Sequence, residues 1–170
     1  MNHIGKSSIR LCVYRCGGFT LVELTFCILL IGIIATVATP KYFASLDRYR
    51  VEMAVKRVAN DIRLAQNSAR QTNFTQTIRF TRADSTYSID AIKSIERSSA
   101  SYTVLLTDSP YHVRMVGLID STQPTASPAT ITVTFNRFGI PDRGITIILQ
   151  SGSRSQQVQV DASSGKVKIQ

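Results

Sequence analysis

The sequence has no tryptophan, only two histidines, and no cysteine after residue 27. Because Cys12, Cys16 and Cys27 all lie near the N-terminus, no disulfide can staple a domain formed by the later residues. The histidines, His3 and His112, are too few for a histidine-rich metal cluster, and no phosphate-binding glycine loop is present. These absences leave little for catalysis, and we expect a non-enzymatic protein without a metal or cofactor.

The charge of the chain is unevenly balanced. Its 170 residues include 20 Lys and Arg against 11 Asp and Glu, which gives a formal net charge of +9. With 44% hydrophobic residues the chain is too apolar to be intrinsically disordered, and its length suits one domain. Much of the apolar content lies in one block near the N-terminus, and that block indicates the class of protein.

The N-terminal block combines a basic leader with a long apolar run. Residues 1–18 contain no acid and three basic residues, Lys6, Arg10 and Arg15. Residues 19–39 then carry a single charge, Glu23. A helix of that length rises about 30 Å, the thickness of a bilayer hydrocarbon core, so the run is long enough to cross a membrane once. The basic leader predicts a cytoplasmic N-terminus and export of the residues that follow the span.

Two ordinary interpretations of this block stay open. One is a secretory signal peptide cleaved after Ala38, and the other is an uncleaved membrane anchor. Neither explains Glu23, since an acid in the centre of a membrane helix costs about 2.5–3.5 kcal/mol, and less near the interface. Such an acid requires a partner, and an amine created by cleavage just upstream is the nearest candidate.

The residues around Glu23 form a recognisable motif. It reads Gly18-Phe19-Thr20-Leu21-Val22-Glu23-Leu24, followed by the apolar stretch and Pro40. This motif resembles the class III signal of type IV pilins and type II secretion pseudopilins. The resemblance implies that a prepilin peptidase cuts after Gly18 and methylates the new N-terminal residue, Phe19. The leader would take Cys12 and Cys16 with it.

The same resemblance implies a role for Glu23 in assembly. In such proteins the acid neutralises the terminal amine of a neighbouring subunit, and an ion pair in a low dielectric penalises a misplaced subunit. Pro40 matches the position of the family's helix kink, and Gly32 is a second weak point in the helix. The implied partners are the prepilin peptidase, other pilins or pseudopilins in a hetero-oligomeric filament, the inner-membrane assembly platform and membrane lipid.

The remaining sequence predicts an α+β fold, in which one long N-terminal helix packs on a mainly antiparallel β domain. Within the amphipathic segment 40–72, apolar residues recur at spacings of four and three and form a stripe that we expect to pack on a sheet: Val51, Val55, Val58, Ile62, Ala65 and Ala69. Lys56, Arg63 and Arg70 are predicted to form a solvated face, with a contact to acidic lipid or to a neighbouring subunit as the alternative. Strands are predicted near 75–81, 86–92, 102–106, 111–117, 130–136, 145–150, 157–161 and 166–169, with a polar loop at 120–129.

The predicted organisation is a leader at 1–18, a helix at 19–72 whose first part (19–39) spans the membrane, and a β-rich head at 73–170.

The C-terminal part resembles the GspH/FimT domain of minor pseudopilins. The resemblance rests on strand 130–136, on Arg137-Phe138-Gly139-Ile140-Pro141 and on Gly165-Lys166-Val167. It implies a head of two β-sheets packed on the exposed half of the helix. It also implies a minor pseudopilin of a type II secretion system, with one span in the bacterial inner membrane and the head in the periplasm.

The alternative is a minor type IV pilus pilin of the FimT kind, for pilus assembly or DNA uptake. Relatives in that branch are taken to bind DNA through a basic C-terminal tail, and the basic residues that match it here are Lys166, Lys168, Arg137, Arg143 and Arg154. The two lysines share one face of the terminal strand, with the arginines expected in neighbouring loops, and would contact phosphates without sequence preference. No aromatic residue adjoins the lysines in the sequence to stack a base. A membrane-anchored or secreted β domain with a misleading N-terminus is the third hypothesis.

Overall fold

The computed structural model describes residues 18–93, 101–123 and 127–170. Helix α1 spans Leu21–Thr72, and eight strands follow: β1 (Gln76–Thr81), β2 (Thr86–Lys93), β3 (Ser101–Leu105), β4 (Arg114–Asp120), β5 (Thr130–Phe135), β6 (Ile145–Ser151), β7 (Arg154–Val160) and β8 (Val167–Ile169). The leader up to Gly17 and Pro124 of the polar loop lie outside the described residues. The chain divides into two compact units, one ending at Thr39 and the other beginning at Pro40.

The helical part of the first unit is apolar and exposed. It is long and apolar enough to cross a membrane, and none of its most apolar stretch is buried by the protein. Helix α1 continues through Gly32 and Pro40 without a break, so these predicted weak points do not end it. The Pro40 ring removes the backbone N–H that would otherwise donate to the carbonyl of Thr36. The hydroxyl of Thr36 donates to the carbonyl of Gly32 at 2.9 Å, which keeps this polar side chain paired within the helix.

The second unit contains two four-stranded antiparallel sheets, in agreement with the two-sheet head that the resemblance implies. The strand order is β3-β2-β1-β5 in one sheet and β4-β6-β7-β8 in the other. In the first sheet, Ile78 of β1 lies opposite Ile89 of β2 and Val133 of β5. In the second sheet, β6 pairs with β4 on one side and with β7 on the other, and β8 is an edge strand.

The core lies between the helix and the two sheets. The predicted stripe is confirmed, since its members are each at most 1% exposed: Val51, Val55, Val58, Ile62, Ala65 and Ala69. The strands bury alternate residues, as Ile145, Ile147 and Leu149 do in β6. Full burial of a Val, Leu or Ile side chain stabilises by about 1.5–3 kcal/mol, so apolar burial is the main force that holds the helix on the sheets.

Two strands begin three residues away from their predicted starts, whereas every other strand begins within one residue of its predicted start. β4 begins at Arg114 and not at residue 111, because the carbonyl of Asp108 accepts hydrogen bonds from the N–H groups of Tyr111 and His112 in a turn. β7 begins at Arg154 and not at residue 157, because this residue pairs with the last residue of β6 across a two-residue turn. Gly152 in that turn has a φ of 54°, which glycine adopts without steric cost. Arg154 therefore lies in a strand and not in a loop, contrary to the prediction.

Candidate functional site

The segment that resembles a processing site lies just ahead of the helix. Gly18 and Phe19 are both exposed, Phe19 to 77%. A β-carbon placed on Gly18 would meet no atom within 4 Å. The peptide bond between these residues therefore has open space beside it in the described part of the chain.

Thr20 and Glu23 begin the helix together. The Oγ1 of Thr20 accepts a hydrogen bond of 3.2 Å from the N–H of Glu23, and its carbonyl accepts one of 3.1 Å from the N–H of Leu24. Thr20 is thus the N-cap, and Glu23 has the Thr-x-x-Glu spacing of a capping box. A negative side chain in the first turn also stabilises the helix, because it lies near the positive end of the helix dipole. This local role was not predicted, although the spacing is visible in the sequence.

The Glu23 carboxylate has an apolar neighbourhood. Leu21, Val22 and Leu24 around it are exposed apolar residues. Among the ion pairs of residues 18–93, 101–123 and 127–170, none includes Glu23. Because an acid in such surroundings requires a partner, the geometry leaves this carboxylate open to a positive group from outside the described residues.

A buried acid joins the helix to the first sheet. Asp61 of α1 is 5% exposed. Its Oδ2 accepts hydrogen bonds from the hydroxyl of Tyr87 at 2.5 Å, from the hydroxyl of Tyr102 at 2.9 Å and from Nε of Arg57 at 3.1 Å. Arg57 also donates to the Tyr102 hydroxyl. These four residues, the Asp61 cluster, connect α1 with β2 and β3.

The surroundings of the Asp61 cluster keep its tyrosines protonated. Burial raises the pKa of Tyr87, and the charge of Asp61 and the hydrogen bond to it raise this pKa further. The pKa of Tyr102 is raised for the same reasons, with burial the largest, while Arg57 opposes the shift. Burial alone lowers the pKa of Arg57, but the Asp61 carboxylate and the nearby tyrosines together raise it. Both hydroxyls are therefore donors, and the guanidinium is charged, throughout the neutral range.

Replacing Asp61 with alanine is expected to lower the free energy of unfolding of the second unit by about 1–3 kcal/mol, because Arg57 is 43% exposed and water can replace its lost partner. The change leaves two hydroxyls and a guanidinium without their buried acceptor. Urea denaturation of the full chain in detergent, followed by circular dichroism, measures the loss. Asp84→Ala is the matched control, because Asp84 is exposed and its loss should change stability by less than about 0.5 kcal/mol. Equal effects of the two substitutions would argue against a stabilising cluster.

The helix residues predicted to form a solvated face are exposed, but one of them contacts the head. Lys56 forms an ion pair of 2.7 Å with Glu52 on the same helix. Arg70 donates from Nε to the carbonyl of Phe138 at 2.9 Å. Arg70 therefore fastens the end of α1 to the turn after β5, while Lys56 and Arg63 remain exposed on the helix.

One of the basic residues assigned to a DNA surface is already paired. Arg143 donates to the carboxylates of Asp120 at 3.0 Å and Asp142 at 3.1 Å. Hydrogen bonding from the backbone N–H of Thr122 is the largest cause of a lowered pKa at Asp120, and Arg143 contributes to it as well. The charge of Arg143 thus serves to hold the turn before β6.

The remaining basic residues lie in two separate places. Lys166 and Lys168 are exposed around β8, and Lys168 pairs in register with Gln159. Arg154 begins β7, five residues before Gln159, so it lies roughly 17 Å away along the strand at about 3.3 Å per residue. A single patch that combines the lysines with Arg154 is therefore not present.

An exposed aromatic ring lies on a turn that contacts the turn before β8. The guanidinium of Arg137 is 5.0 Å from the centroid of the Phe138 ring, which is 61% exposed. This turn packs against the turn that carries Lys166, since a β-carbon on Gly165 would lie 3.0 Å from the carbonyl oxygen of Gly139. The fold thus brings an aromatic residue beside the lysine-bearing turn, which the sequence alone did not indicate.

Known proteins share parts of this arrangement. The chain matches the family described as the prokaryotic N-terminal methylation motif over residues 14–39. No curated protein matches its sequence. Similar solved structures include the type IV minor pilin FimU of Pseudomonas aeruginosa strain PAO1 in two crystal forms. The P21 form has a TM-score of 0.50 at 10% identity and covers 72% of this chain and 90% of that one. The P65 form has a TM-score of 0.47 at 10% identity, with 70% and 91% covered.

The two kinds of likeness concern different parts of the protein. The methylation motif includes the positions of Gly18, Phe19 and Glu23. The likeness to the P21 form of FimU, at 10% identity, concerns the fold alone, a long N-terminal helix packed on antiparallel sheets. The chain thus combines a prokaryotic N-terminal methylation motif, which includes the start of the exposed apolar helix, with a fold similar to that of a type IV minor pilin.

Proposed function

We propose that the chain is a minor pseudopilin of a type II secretion system, a structural subunit of the periplasmic pseudopilus and not an enzyme. The observation that carries the proposal is Glu23, an acid in an exposed apolar helix, which lies four residues after Phe19 and inside the matched motif. The GspH/FimT-like residues at 137–141 and 165–167 support the minor pseudopilin class within the pilin-like proteins.

Processing prepares the subunit for assembly. In this proposal a prepilin peptidase removes residues 1–18 and methylates Phe19. Residues 19–39 then hold the mature protein in the inner membrane, with the head in the periplasm, until the assembly platform adds it to other pseudopilins. Pro40 removes a backbone hydrogen bond where the apolar segment ends, so we expect the helix to bend there in the filament.

Glu23 fixes the register of the assembled subunits. Apolar helices gain little from association in lipid, because lipid tails are as apolar as leucine, and assembly therefore needs a specific interaction. The Glu23 carboxylate of one subunit pairs with the terminal amine of its neighbour. Because an unpaired charge in a low dielectric costs several kcal/mol, a misplaced subunit is strongly disfavoured.

Deleting the gene tests which machine the subunit serves. We expect folded secreted proteins to accumulate in the periplasm while pilus-dependent motility is unchanged. The wild-type gene should restore secretion, whereas a Glu23→Ala chain should not, although it retains both the anchor and the head. Normal secretion combined with loss of pili would count against the proposal and in favour of the alternative.

The alternative is a minor type IV pilin of the FimT kind that binds DNA. The exposed Phe138 ring beside Arg137, on a turn packed against the one that carries Lys166, favours this candidate. Single-stranded DNA suits such a surface, because its phosphates pair with cations and its bases stack on aromatic rings.

This candidate predicts that the full chain in detergent binds single-stranded DNA. Phe138→Ala should weaken binding about five-fold or more, since stacking contributes about 1–3 kcal/mol per base. Lys166→Gln combined with Lys168→Gln should lower the affinity and its dependence on salt. Arg154→Gln, at the other end of β7, is the control and should bind like the wild type. Fluorescence anisotropy at two salt concentrations measures these effects, and equal losses in all variants would exclude a site at the Phe138 turn.

A further inference from the structure

We propose that a groove at one end of the second unit binds the headgroup of an anionic phospholipid of the phosphatidylglycerol kind. The groove is lined by Arg48 and Val51 of α1 and by Arg154, Ser155 and Gln156 of β7. The proposal requires only that residues 19–39 span a membrane. It is the same whether the filament is a pseudopilus or a pilus.

Two core-facing rows of residues change from apolar to charged or polar at this groove. On α1 the row reads Val58, Val55, Val51 and Arg48, and on β7 it reads Val160, Val158, Gln156 and Arg154. The valines of both rows are buried, whereas both arginines are exposed. Two like charges at facing ends of a core repel each other, and an anion between them removes that repulsion. The arrangement therefore fits an anionic ligand.

The acids next to the groove are engaged elsewhere. The Asp47 carboxylate accepts a hydrogen bond of 3.0 Å from the hydroxyl of Ser151. Glu52 forms its ion pair with Lys56 at 2.7 Å, and the hydrogen bond from Lys56 is the largest cause of the lowered pKa of Glu52, while the charge of Arg48 is only the smallest. Within the described part of the chain, the two arginines of the groove take part in no ion pair. Their charge is available to a ligand.

The groove supplies the donors and the acceptor that such a headgroup needs. A guanidinium group binds a phosphate through two parallel hydrogen bonds, and Arg48 and Arg154 both offer one. The Oε1 atom of Gln156 is buried and accepts no hydrogen bond from the described residues. A buried acceptor without a donor is unfavourable, and rotation of this side chain into the groove would let a glycerol hydroxyl beside the phosphate satisfy it. Phosphate and hydroxyl groups occur together in phosphatidylglycerol.

The position of the groove in the chain favours a lipid over other phosphates. Arg48 follows Thr39 by nine residues, a stretch that a helix covers in about 14 Å. Between them lie Tyr42 and Phe43, both exposed, and aromatic residues are enriched where a protein crosses the membrane surface. A basic groove tethered this closely to a membrane span meets anionic headgroups at a high local concentration.

Native mass spectrometry of the full chain in detergent tests the proposal. The probes are phosphatidylglycerol and phosphatidylcholine with identical acyl chains, so that contacts with the apolar helix cancel in the comparison. We expect phosphatidylglycerol to bind at least ten-fold more tightly. Arg48→Gln combined with Arg154→Gln should lower that affinity at least ten-fold and leave phosphatidylcholine unaffected, because each arginine near an anionic surface contributes about five-fold.

Three further variants make the test specific. Arg154→Gln alone, with its exposed side chain, still reports on the groove if the double variant fails to fold, and should lower the affinity about five-fold. Lys166→Gln combined with Lys168→Gln removes two positive charges, as the double arginine variant does, but away from the groove. This lysine variant should bind phosphatidylglycerol like the wild type. Gln156→Leu should weaken the binding of phosphatidylglycerol but not that of phosphatidic acid, which lacks the headgroup glycerol.

Several results would overturn the proposal. Equal affinity of the wild type for phosphatidylglycerol and phosphatidylcholine would exclude headgroup recognition. An equal loss of phosphatidylglycerol affinity in the lysine variant would show that the net charge of the protein, and not the groove, determines the affinity. Displacement of the lipid by millimolar inorganic phosphate would make the groove a site for the free anion, and displacement by single-stranded DNA that depends on Arg48 and Arg154 would make it a DNA site.

Discussion

Replacing Glu23 with alanine is expected to leave membrane insertion and leader removal intact while abolishing incorporation into the filament. Insertion depends on the apolar run, which the change lengthens. The proposed cleavage site after Gly18 is separated from Glu23 by four residues, so the substitution leaves the cleaved bond unchanged. In the proposed assembly, incorporation depends on the carboxylate, because without it the terminal amine of the neighbour would be buried without a counter-charge. Fractionation of sheared filaments and membranes, with detection of the processed chain in each, measures the effect.

A second substitution separates the charge of Glu23 from its place in the helix. Glu23 follows the N-cap Thr20 and donates its backbone N–H to the Thr20 hydroxyl at 3.2 Å, an interaction that Glu23→Gln retains. Glutamine also suits the third position of a capping box. We therefore expect Glu23→Gln to fold and insert like the wild type and still to be lost from filaments. Filaments that contain Glu23→Gln at the normal level would show that capping, and not an ion pair, is the contribution of this residue.

Replacing Gly18 with leucine is expected to block removal of the leader. The proposed peptidase has to bring its catalytic groups to the peptide bond after Gly18, and a side chain there occupies the space that a glycine leaves open beside the backbone. A β-carbon on Gly18 meets no atom of the protein within 4 Å, so the substitution does not disturb the chain itself. The unprocessed chain should accumulate in the membrane, where its larger mass on a denaturing gel identifies it.

Gly32→Leu is the matched control for this experiment. A β-carbon on Gly32, inside the apolar run, also meets no atom within 4 Å. Leucine is a better helix former than glycine, so this variant should insert and be processed like the wild type. A mature Gly18→Leu chain, or an equal block in both variants, would refute cleavage after Gly18.

The fold of the head could be predicted largely from local patterns. β5 begins at Thr130 as predicted, because Ile131, Val133 and Phe135 alternate with polar residues and all three are buried. The stripe on α1 was visible for the same reason, since helical spacing alone shows which face is buried. The predicted start of β4 was wrong because the Asp108 carbonyl accepts hydrogen bonds from the N–H groups of Tyr111 and His112 in a turn, and the alternation of apolar and polar residues does not reveal that contact.

Features that depend on distant partners could not be predicted from local patterns. Asp61 falls between Val58 and Ala65 at stripe spacing, so the sequence does indicate an acid on a buried face. Its partners Tyr87 and Tyr102 are 26 and 41 residues away, and only the packing of helix on sheet brings them together. The same limit applies to the placement of Phe138 beside the lysine-bearing turn and to the facing arginines of the groove.

Mass spectrometry of the N-terminal peptide, from protein purified out of its native membrane, tests the central claim most directly. The account predicts a chain that begins at Phe19 with one methyl group on its amine. A chain that begins at Thr39 would contradict the account, because it would show an ordinary signal peptide and a protein without a membrane span. An intact Met1 would contradict it as well, since the leader would then be part of a plain anchor and Glu23 would have no terminal amine to pair with.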